Sequence, residues 1–267
     1  MTSDPLTIVV TGGSNSSGIA VARAFALAGH RVFTVGSDEP RITAAAAEAG
    51  DGVVPLVCDL SRLDAVRELA GHIRGNTEGI DGVIHLVGGW RGAKGIEDQP
   101  DEDWDALEQS AITTLRNVTR IFYKDLAASP RGRFAMVSST AVAAPTAGAA
   151  TYAAAKAAAE TWTLAMADGF RRDQSGNPAN TGNSGNSDNK DEPTEQHSLT
   201  EQHRLTEQRS AAVVFVVKAL LDAAMRKEHP ERKFPGYTDV DDLAAAAVGL
   251  FDQPAAELNG QRLLLAK

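Results

Sequence analysis

Residues Thr11–Ala20 read TGGSNSSGIA, and they lie between an apolar run, Leu6–Thr11, and an alanine-rich stretch that extends to Leu27. The apolar run predicts a β-strand, and the stretch after the glycines predicts a helix. Glycines allow a tight backbone turn, and the start of a helix offers free N–H groups that suit a pyrophosphate. The segment therefore predicts a dinucleotide-binding turn at a first strand-to-helix crossover, although an ordinary loop can look the same.

The same alternation of short β-rich runs and longer helical patterns continues beyond this turn. Helices are predicted through Ala49, from Asp103 and around Tyr152, and from Asp239 to Phe251. The further predicted strands are Arg31–Val35, Val53–Val57, Gly82–Val87, Arg133–Val137, Ala211–Val217 and Arg262–Leu265. Strands separated by helices imply right-handed crossovers. We therefore predict an α/β fold with a single doubly wound parallel sheet and helices on both of its faces.

One segment breaks the pattern. Between Asp173 and Ser210 the chain is rich in Ser, Asn, Gly, Gln and Glu, and near-repeats of Thr-Glu-Gln occur. Its apolar content is too low to offset the entropy of ordering. We predict a single dinucleotide-binding domain over residues 1–267, interrupted at about residues 173–210 by a disordered surface insertion to which no metal chemistry is assigned.

Composition narrows the classes of function. The chain has 267 residues, a formal net charge of −9 and one cysteine, Cys58. An acidic protein is a poor ligand for nucleic acid, and one cysteine forms no internal disulfide or cysteine cluster. The sequence shows neither an apolar membrane span nor a signal peptide, so a cytoplasmic protein acting on a small molecule, with no membrane partner, is expected.

Two short segments bear on the adenosine end of a dinucleotide. Asp59 and Leu60 follow the third strand, where an acid would meet an adenine amino group, and helix capping is an equal alternative for Asp59. Gly36 stands at the end of the second strand, where an acid would select NAD. Ser37 could bond a 2′-phosphate, whereas Asp38 and Glu39 oppose one. The balance favours NADP, and NAD stays open.

A second pattern lies in the later half. Ser138 and Ser139 end the fifth strand, and Tyr152 and Lys156 follow on a predicted helix. Residues four apart share one helix face. A carbonyl that receives a hydride needs a proton, which a phenol supplies near neutral pH only beside a positive charge. Alone, such a pair is more often a surface pair, but the preceding strand-and-turn order favours a catalytic site.

Together, the glycine turn, Asp59 and the Ser139…Tyr152…Lys156 spacing resemble the short-chain dehydrogenase/reductase family. The resemblance implies a Rossmann-type fold, a homo-oligomer and an NAD(P)-dependent oxidoreductase. Tyr152 would be the general acid/base, Lys156 would lower its pKa and hold the nicotinamide ribose, and Ser139 would bond the substrate oxygen, with Ser138 the weaker candidate. The expected cofactor-binding residues are Gly12, Ser14, Asn15, Gly18, Ile19, Ser37, Asp59, Leu60, Gly88, Tyr152 and Lys156.

The chain also departs from the family pattern. Gly12 and Gly18 are six apart instead of four, and Ala20 replaces the third glycine. His85 stands where the family has Asn, which predicts either a cofactor contact or, more often, a satisfied core group. Ala111 replaces the Asn of the catalytic tetrad. Lys218 and Ala219 replace a Pro-Gly pair after the sixth strand.

These departures leave alternatives. Val87–Gly92 is similar to the dihydropteridine reductase branch, which suggests a pterin-like substrate, whereas Ser139 favours an ordinary carbonyl or alcohol. Trp90 could stack on a flat ring or be a core or oligomer contact. The altered turn and missing Asn also fit an NAD(P)-binding sensor with little catalysis, and the insertion fits an interaction protein.

Overall fold

The computed structural model describes residues 4–174 and 208–265. Its centre is a sheet of seven parallel strands, which are β1 Thr7–Thr11, β2 Arg31–Gly36, β3 Val53–Val57, β4 Gly82–His85, β5 Arg133–Ser139, β6 Ala211–Val217 and β9 Arg262–Leu264. Their order across the sheet is β3-β2-β1-β4-β5-β6-β9. The order reverses between β1 and β4, which creates a crevice at the carboxyl ends of the strands.

Helices cover both faces of the sheet. They are α1 Ser16–Leu27, α2 Glu39–Ala49, α3 Leu63–Arg74, α4 Asp101–Leu107, α5 Thr114–Ala128, α6 Ala150–Gln174, α7 Ala223–Glu228, α8 Val240–Gly249 and α9 Ala255–Leu258. Successive strand residues point to opposite faces, so Ile8 packs with α1, α2 and α8, whereas Val9 packs with α3, α5 and α6. The predicted doubly wound parallel sheet is confirmed.

The middle of the chain departs from the predicted elements. β4 ends at His85 instead of Val87. The single long helix predicted from Asp103 begins at Asp101 and is divided by a π-helical segment, Glu108–Thr113, between α4 and α5. The hydroxyl of Thr114 donates to the Ser110 carbonyl at 2.6 Å within this wider turn. The result places Ala111 and Ser110 beside the crevice.

The predicted insertion at about 173–210 falls largely on residues 175–207, which lie outside the described residues. Its flanks meet: the side chain of Gln174 donates to Ser210 Oγ at 2.7 Å and accepts from the backbone N–H of Arg209 at 2.9 Å. The single-domain organisation stays a prediction. In the part of the chain that is described, no helix is both long and apolar enough to cross a membrane.

A small second sheet frames the segment after β6. Its two strands, β7 Leu220–Leu221 and β8 Thr238–Asp239, pair in parallel, and Asp239 accepts from the Asp241 N–H at the start of α8. Between them α7 is N-capped by Asp222, whose carboxylate accepts from the Met225 N–H at 2.8 Å. This frame positions residues 218–239 above the carboxyl end of β6.

Candidate active site

Two cavities lie side by side at the carboxyl ends of the strands. The large cavity has a volume of about 530 Å³ and the small cavity about 220 Å³. Asn15, Val87 and Gly88 line both, so the two form one elongated cleft. This is the switch-point crevice where α/β sheets bind ligands.

The glycine turn forms the middle of the cleft. Gly12 has φ +76°, and a Cβ there would lie 2.7 Å from the Leu86 carbonyl oxygen, so the turn requires glycine. A Cβ on Gly18 would lie 2.5 Å from the Gly12 carbonyl oxygen, so α1 begins close against the turn. Asn15 is the N-cap of α1 without a side-chain cap bond. The first N–H groups of α1 therefore face the cleft as an anion site.

Most, but not all, of the predicted cofactor-binding residues line the cleft. Those that do are Gly12, Ser14, Asn15, Ser37, Asp59, Leu60, Gly88, Tyr152 and Lys156. Gly18 packs beneath the turn, and Ile19 is half-buried against the core, so neither lines either cavity. The carboxylate of Asp59 accepts from the backbone N–H and hydroxyl of Ser61, at 3.0 and 2.7 Å. Asp59 thus shapes its turn as well as lining the small cavity.

Sequence reasoning missed Arg41, which also lines the small cavity, next to Gly36 and Ser37. Arg41 lies on the first turn of α2, and its backbone N–H donates to the N-capping carboxylate of Asp38 at 2.9 Å. A basic residue three positions after an N-cap at a strand end was the available signal. The small cavity is therefore lined by a basic residue, Arg41, in addition to the acidic residues Asp38 and Asp59.

Ser139, Tyr152 and Lys156 come together as their spacing predicted. The hydroxyl group of Ser139 lies close enough to that of Tyr152 to lower the pKa of the phenol, and Ser139 Oγ accepts from the Ala141 N–H at 3.1 Å. Lys156 Nζ donates to the Val137 carbonyl at 2.8 Å. Tyr152 and Lys156 line the large cavity, whereas Ser139 is buried behind Tyr152 and is not part of the lining.

Burial shifts the titration of both groups on α6. It raises the pKa of the Tyr152 phenol, which the nearby Ser139 hydroxyl opposes. It lowers the pKa of Lys156 to about 8, which the carboxylate of Glu160 opposes. Arg262 holds that carboxylate through Nε at 2.7 Å. The direction for Tyr152 is opposite to the lowering that the resemblance implied, because burial of the phenol outweighs the effect of Ser139 on its pKa.

Aromatic and basic side chains complete the large cavity. Trp90 lines it and is 71% exposed, so the interpretation of Trp90 as a core contact is wrong. Lys218 and Ala219, which replace the family's Pro-Gly pair, also line it, together with Tyr237 from the segment just before β8. Residues from the segment 217–237 and from the loop after β4 therefore both line the large cavity.

His85 is a satisfied core group, as the commoner of its two interpretations predicted. It is 2% exposed, with Nδ1 2.8 Å from the Thr11 hydroxyl and Nε2 3.4 Å from the Thr114 hydroxyl. Because Thr114 donates to the Ser110 carbonyl, its oxygen is left to accept from Nε2–H, and Nδ1 accepts from Thr11. Burial, and then the charge of Lys156, lowers the pKa of His85 to about 3.

This environment predicts acid sensitivity. The native state keeps His85 neutral down to about pH 3, whereas an unfolded histidine titrates near pH ~6.5. The unfolded state therefore binds more protons between these values, and the free energy of unfolding falls as pH falls below ~6.5, by up to about 1.4 kcal/mol per unit. Urea unfolding of the native protein and His85→Asn at several pH values measures this slope.

The difference between the pH slopes of native protein and His85→Asn gives the contribution of His85 alone, because the carboxylates contribute to both slopes. We expect the native slope between pH ~6.5 and ~5 to exceed that of His85→Asn. His72→Asn is the matched control, because His72 is exposed on α3. Parallel curves for native protein and His85→Asn would contradict the prediction.

Comparison with known proteins places these features in a family context. A family model described as short chain dehydrogenase matches residues 6–174, more than half of the chain. The chain is 32% identical over 158 residues to an uncharacterized short-chain type dehydrogenase/reductase of Sinorhizobium fredii, covering 59% of this chain and 61% of that protein. It is 27% identical over 157 residues to an NADP-dependent 3-hydroxy acid dehydrogenase of Salmonella typhimurium, covering 59% and 63%. The match thus spans about six tenths of these relatives.

Solved structures share the fold over nearly the whole chain. A short-chain dehydrogenase of Shigella flexneri complexed with NADP has a TM-score of 0.74 at 19% identity, covering 97% of this chain and 96% of that one. A short-chain oxidoreductase of Pseudomonas aeruginosa, described as containing an atypical catalytic center, has a TM-score of 0.76 at 17% identity, covering 98% and 95%. At these identities the likeness establishes the fold.

Proposed function

Because this chain belongs to the short-chain dehydrogenase/reductase family, we propose that it is an oxidoreductase that transfers a hydride between NAD(P) and a small carbonyl or alcohol substrate. The observation that carries the proposal is the cluster of Tyr152, Ser139 and Lys156 at the large cavity. A lone Tyr–Lys pair on a helix would not support it. The position of Ser139 beside Tyr152, at the carboxyl end of β5 and next to the cleft, does support it.

The residues present fit a dinucleotide. A side chain at Gly12 would strike the backbone after β4, and the uncapped start of α1 opens into the middle of the cleft. A pyrophosphate at this point would leave the small cavity for the adenosine and the large cavity for the nicotinamide, beside Tyr152 and Lys156. When bound, the reduced nicotinamide would supply the hydride.

The chain's own groups would manage the proton. In the reducing direction the carbonyl carbon receives the hydride and the carbonyl oxygen takes a proton from Tyr152 Oη, which solvent then restores. The Ser139 hydroxyl lies beside the phenol and opposes the rise in its pKa that burial causes. The ammonium of Lys156, one turn along α6, favours the negative charge that the phenol carries after giving up its proton. No step needs Asn at position 111, where the small side chain of Ala111 packs with Tyr152.

A panel of ketones, aldehydes and alcohols, with NADPH or NADH absorbance as readout, tests the proposal. Quinonoid dihydropterin belongs in the panel, because the pterin substrate predicted from Val87–Gly92 stays a prediction. Turnover of at least one carbonyl is expected. Cofactor binding without turnover of any member would instead favour the sensor.

We further propose that the cofactor is NADP. The family's acidic NAD selector is absent at Gly36, and the carboxylate of Asp38 is engaged as the N-cap of α2. The guanidinium of Arg41 lines the small cavity, and no carboxylate among residues 4–174 and 208–265 forms a salt bridge with it. Guanidinium groups match phosphate oxygens in geometry and charge. The NADP dependence of the Salmonella relative is consistent with this assignment.

Arg41→Ala is expected to weaken NADPH binding by about tenfold or more, because a charge-assisted hydrogen bond contributes roughly 1.5–3 kcal/mol. NADH binding should change less than about twofold, since a free ribose 2′-OH carries no charge. Fluorescence titration of both nucleotides measures the two dissociation constants. Arg67→Ala on α3 is the control, because Arg67 is exposed and paired with Asp64. An equal loss for both nucleotides would show that Arg41 does not select the phosphate.

A homo-oligomer belongs to the same proposal. Trp162 is 38% exposed and Leu164 36% exposed on α6. Trp162, Tyr123 and Met166 line an apolar depression of about 420 Å³ between α5 and α6, on the side of these helices away from the sheet. We assign this surface to the contact with a second copy.

A further inference from the structure

The lining of the large cavity differs in charge from the rest of the chain. The protein has 35 acidic and 26 basic residues. Yet two lysines, Lys156 and Lys218, line this cavity and no aspartate or glutamate does. Lys156 is buried and bound to the Val137 carbonyl. Lys218 is exposed at the carboxyl end of β6, so it is the cation that a ligand entering from solvent meets.

Lys218 is held in place by neighbouring groups, and its ammonium keeps further hydrogen-bond donors. Its Nζ donates to the Pro235 carbonyl at 3.1 Å and lies 5.8 Å from the centre of the Tyr237 ring. An ammonium has three donors. Within the described ranges Lys218 forms no salt bridge. The remaining donors are available to an anion.

Two aromatic rings line the same cavity as this ammonium. Tyr237 is fixed by Phe234, with ring centres 5.4 Å apart, and by Arg232, which donates to its hydroxyl at 3.3 Å. Trp90 lines the same cavity and packs over Gly92, where a Cβ would lie 2.6 Å from the indole. Such rings supply broad apolar contact at little entropic cost. A ligand with a flat apolar body and one anionic end matches these walls.

We propose that Lys218 is a specificity-determining residue that binds the carboxylate of the substrate, so that the enzyme reduces oxo acids to hydroxy acids. The inference rests on the proposed function. The hydride goes to the keto carbon and the proton from Tyr152 goes to the keto oxygen. The carboxylate is unchanged and stays on Lys218, while the body of the substrate lies along Trp90 and Tyr237.

The test compares acids with their methyl esters, which differ in charge and little in shape. Benzoylformate and 3-benzoylpropanoate, each with its methyl ester, are assayed with NADPH in the native protein, Lys218→Met, Lys218→Arg and Lys227→Met. In native protein the acids should have the higher kcat/KM. Lys218→Met should raise KM for the acids about tenfold or more and change the esters less than about twofold. Lys218→Arg should restore most of the loss.

Lys227→Met controls for net charge, because Lys227 is exposed on α7 and lines neither cavity. It should leave every pair unchanged. If native protein reduces the esters with the same kcat/KM as the acids, the inference is overturned and the proposed function stays intact. An equal loss for acids and esters in Lys218→Met would also overturn the inference, and it would place Lys218 on the cofactor.

Binding gives a readout that does not need turnover. The dissociation constant of benzoylformate in the presence of NADP should rise about tenfold or more in Lys218→Met, and that of the methyl ester should not. This result with no turnover of any ketone would retain the carboxylate site and reject the proposed function. No binding of either acid by native protein would overturn the inference, whatever the esters do.

Discussion

Tyr152→Phe is expected to lower kcat for carbonyl reduction by about two to four orders of magnitude, the usual contribution of a positioned proton donor. The substitution removes one oxygen, which lines the large cavity and lies beside Ser139. The ring itself should stay in place, because it packs against Ala111, Ala155 and Leu107. Affinity for NADP(H) and the melting temperature should therefore change little. Steady-state kinetics, with fluorescence titration of the nucleotide, separates these effects.

Tyr123→Phe is the matched control, since Tyr123 lines neither cavity of the cleft and its hydroxyl donates to Asp173 at 2.8 Å. The substitution keeps the ring that lines the proposed contact with a second copy. It should keep its turnover. Undiminished turnover in Tyr152→Phe would remove the proton-donor role and with it the mechanism proposed above. If native protein binds nucleotide but reduces no carbonyl, Tyr152→Phe and Tyr123→Phe have no turnover to compare. That result would favour the alternative function of an NAD(P)-binding sensor.

The fold was predictable because buried parallel strands are continuous apolar runs. β3 and β6 have the bounds predicted from sequence. The division of the long helix between Asp101 and Ala128 was not predicted, because the segment contains no proline or glycine that would mark a break. The π-helical segment depends on the tertiary contact of His85 with Thr114, and on the bond from Thr114 to Ser110. Local sequence does not encode such contacts.

The site was predictable where its residues are bound to regular elements. Tyr152 and Lys156 share a face of α6, and Ser139 ends β5, so spacing alone brought them together. Arg41, Lys218 and Tyr237 were harder. Lys218 and Tyr237 meet only because two two-residue strands, β7 and β8, pair across the segment 222–237, which contains α7 and irregular chain. Pairing this short leaves no pattern to detect.

Substitution of Arg133 has the second large expected effect. Arg133 is the first residue of β5, so it lies at the amino-terminal ends of the strands, whereas the cleft lies at their carboxyl ends. It begins β5, is 4% exposed, and donates to four backbone carbonyls, those of Leu250, Gly132, Arg209 and Gln253, at 2.8–2.9 Å. Burial, and then the charge of Arg131, lowers its pKa to about 10, so it stays charged at neutral pH. One guanidinium thus joins the start of β5, the chain before β6 and the end of α8.

Arg133→Met should lower the free energy of unfolding by about 3 kcal/mol or more, because it keeps the apolar stem but leaves several buried carbonyls without a donor. For a chain of this size that corresponds to a melting temperature roughly 6–12 °C lower. Arg131→Met, which removes a neighbouring half-exposed arginine, should change stability by less than about 1 kcal/mol. Below its melting temperature Arg133→Met should bind NADP(H) as native protein does, since the cleft lies at the carboxyl ends of the strands. If Arg133→Met melts within about two degrees of the native protein, water replaces the lost donors. If the folded variant loses affinity for the nucleotide, the amino and carboxyl ends of the strands are coupled.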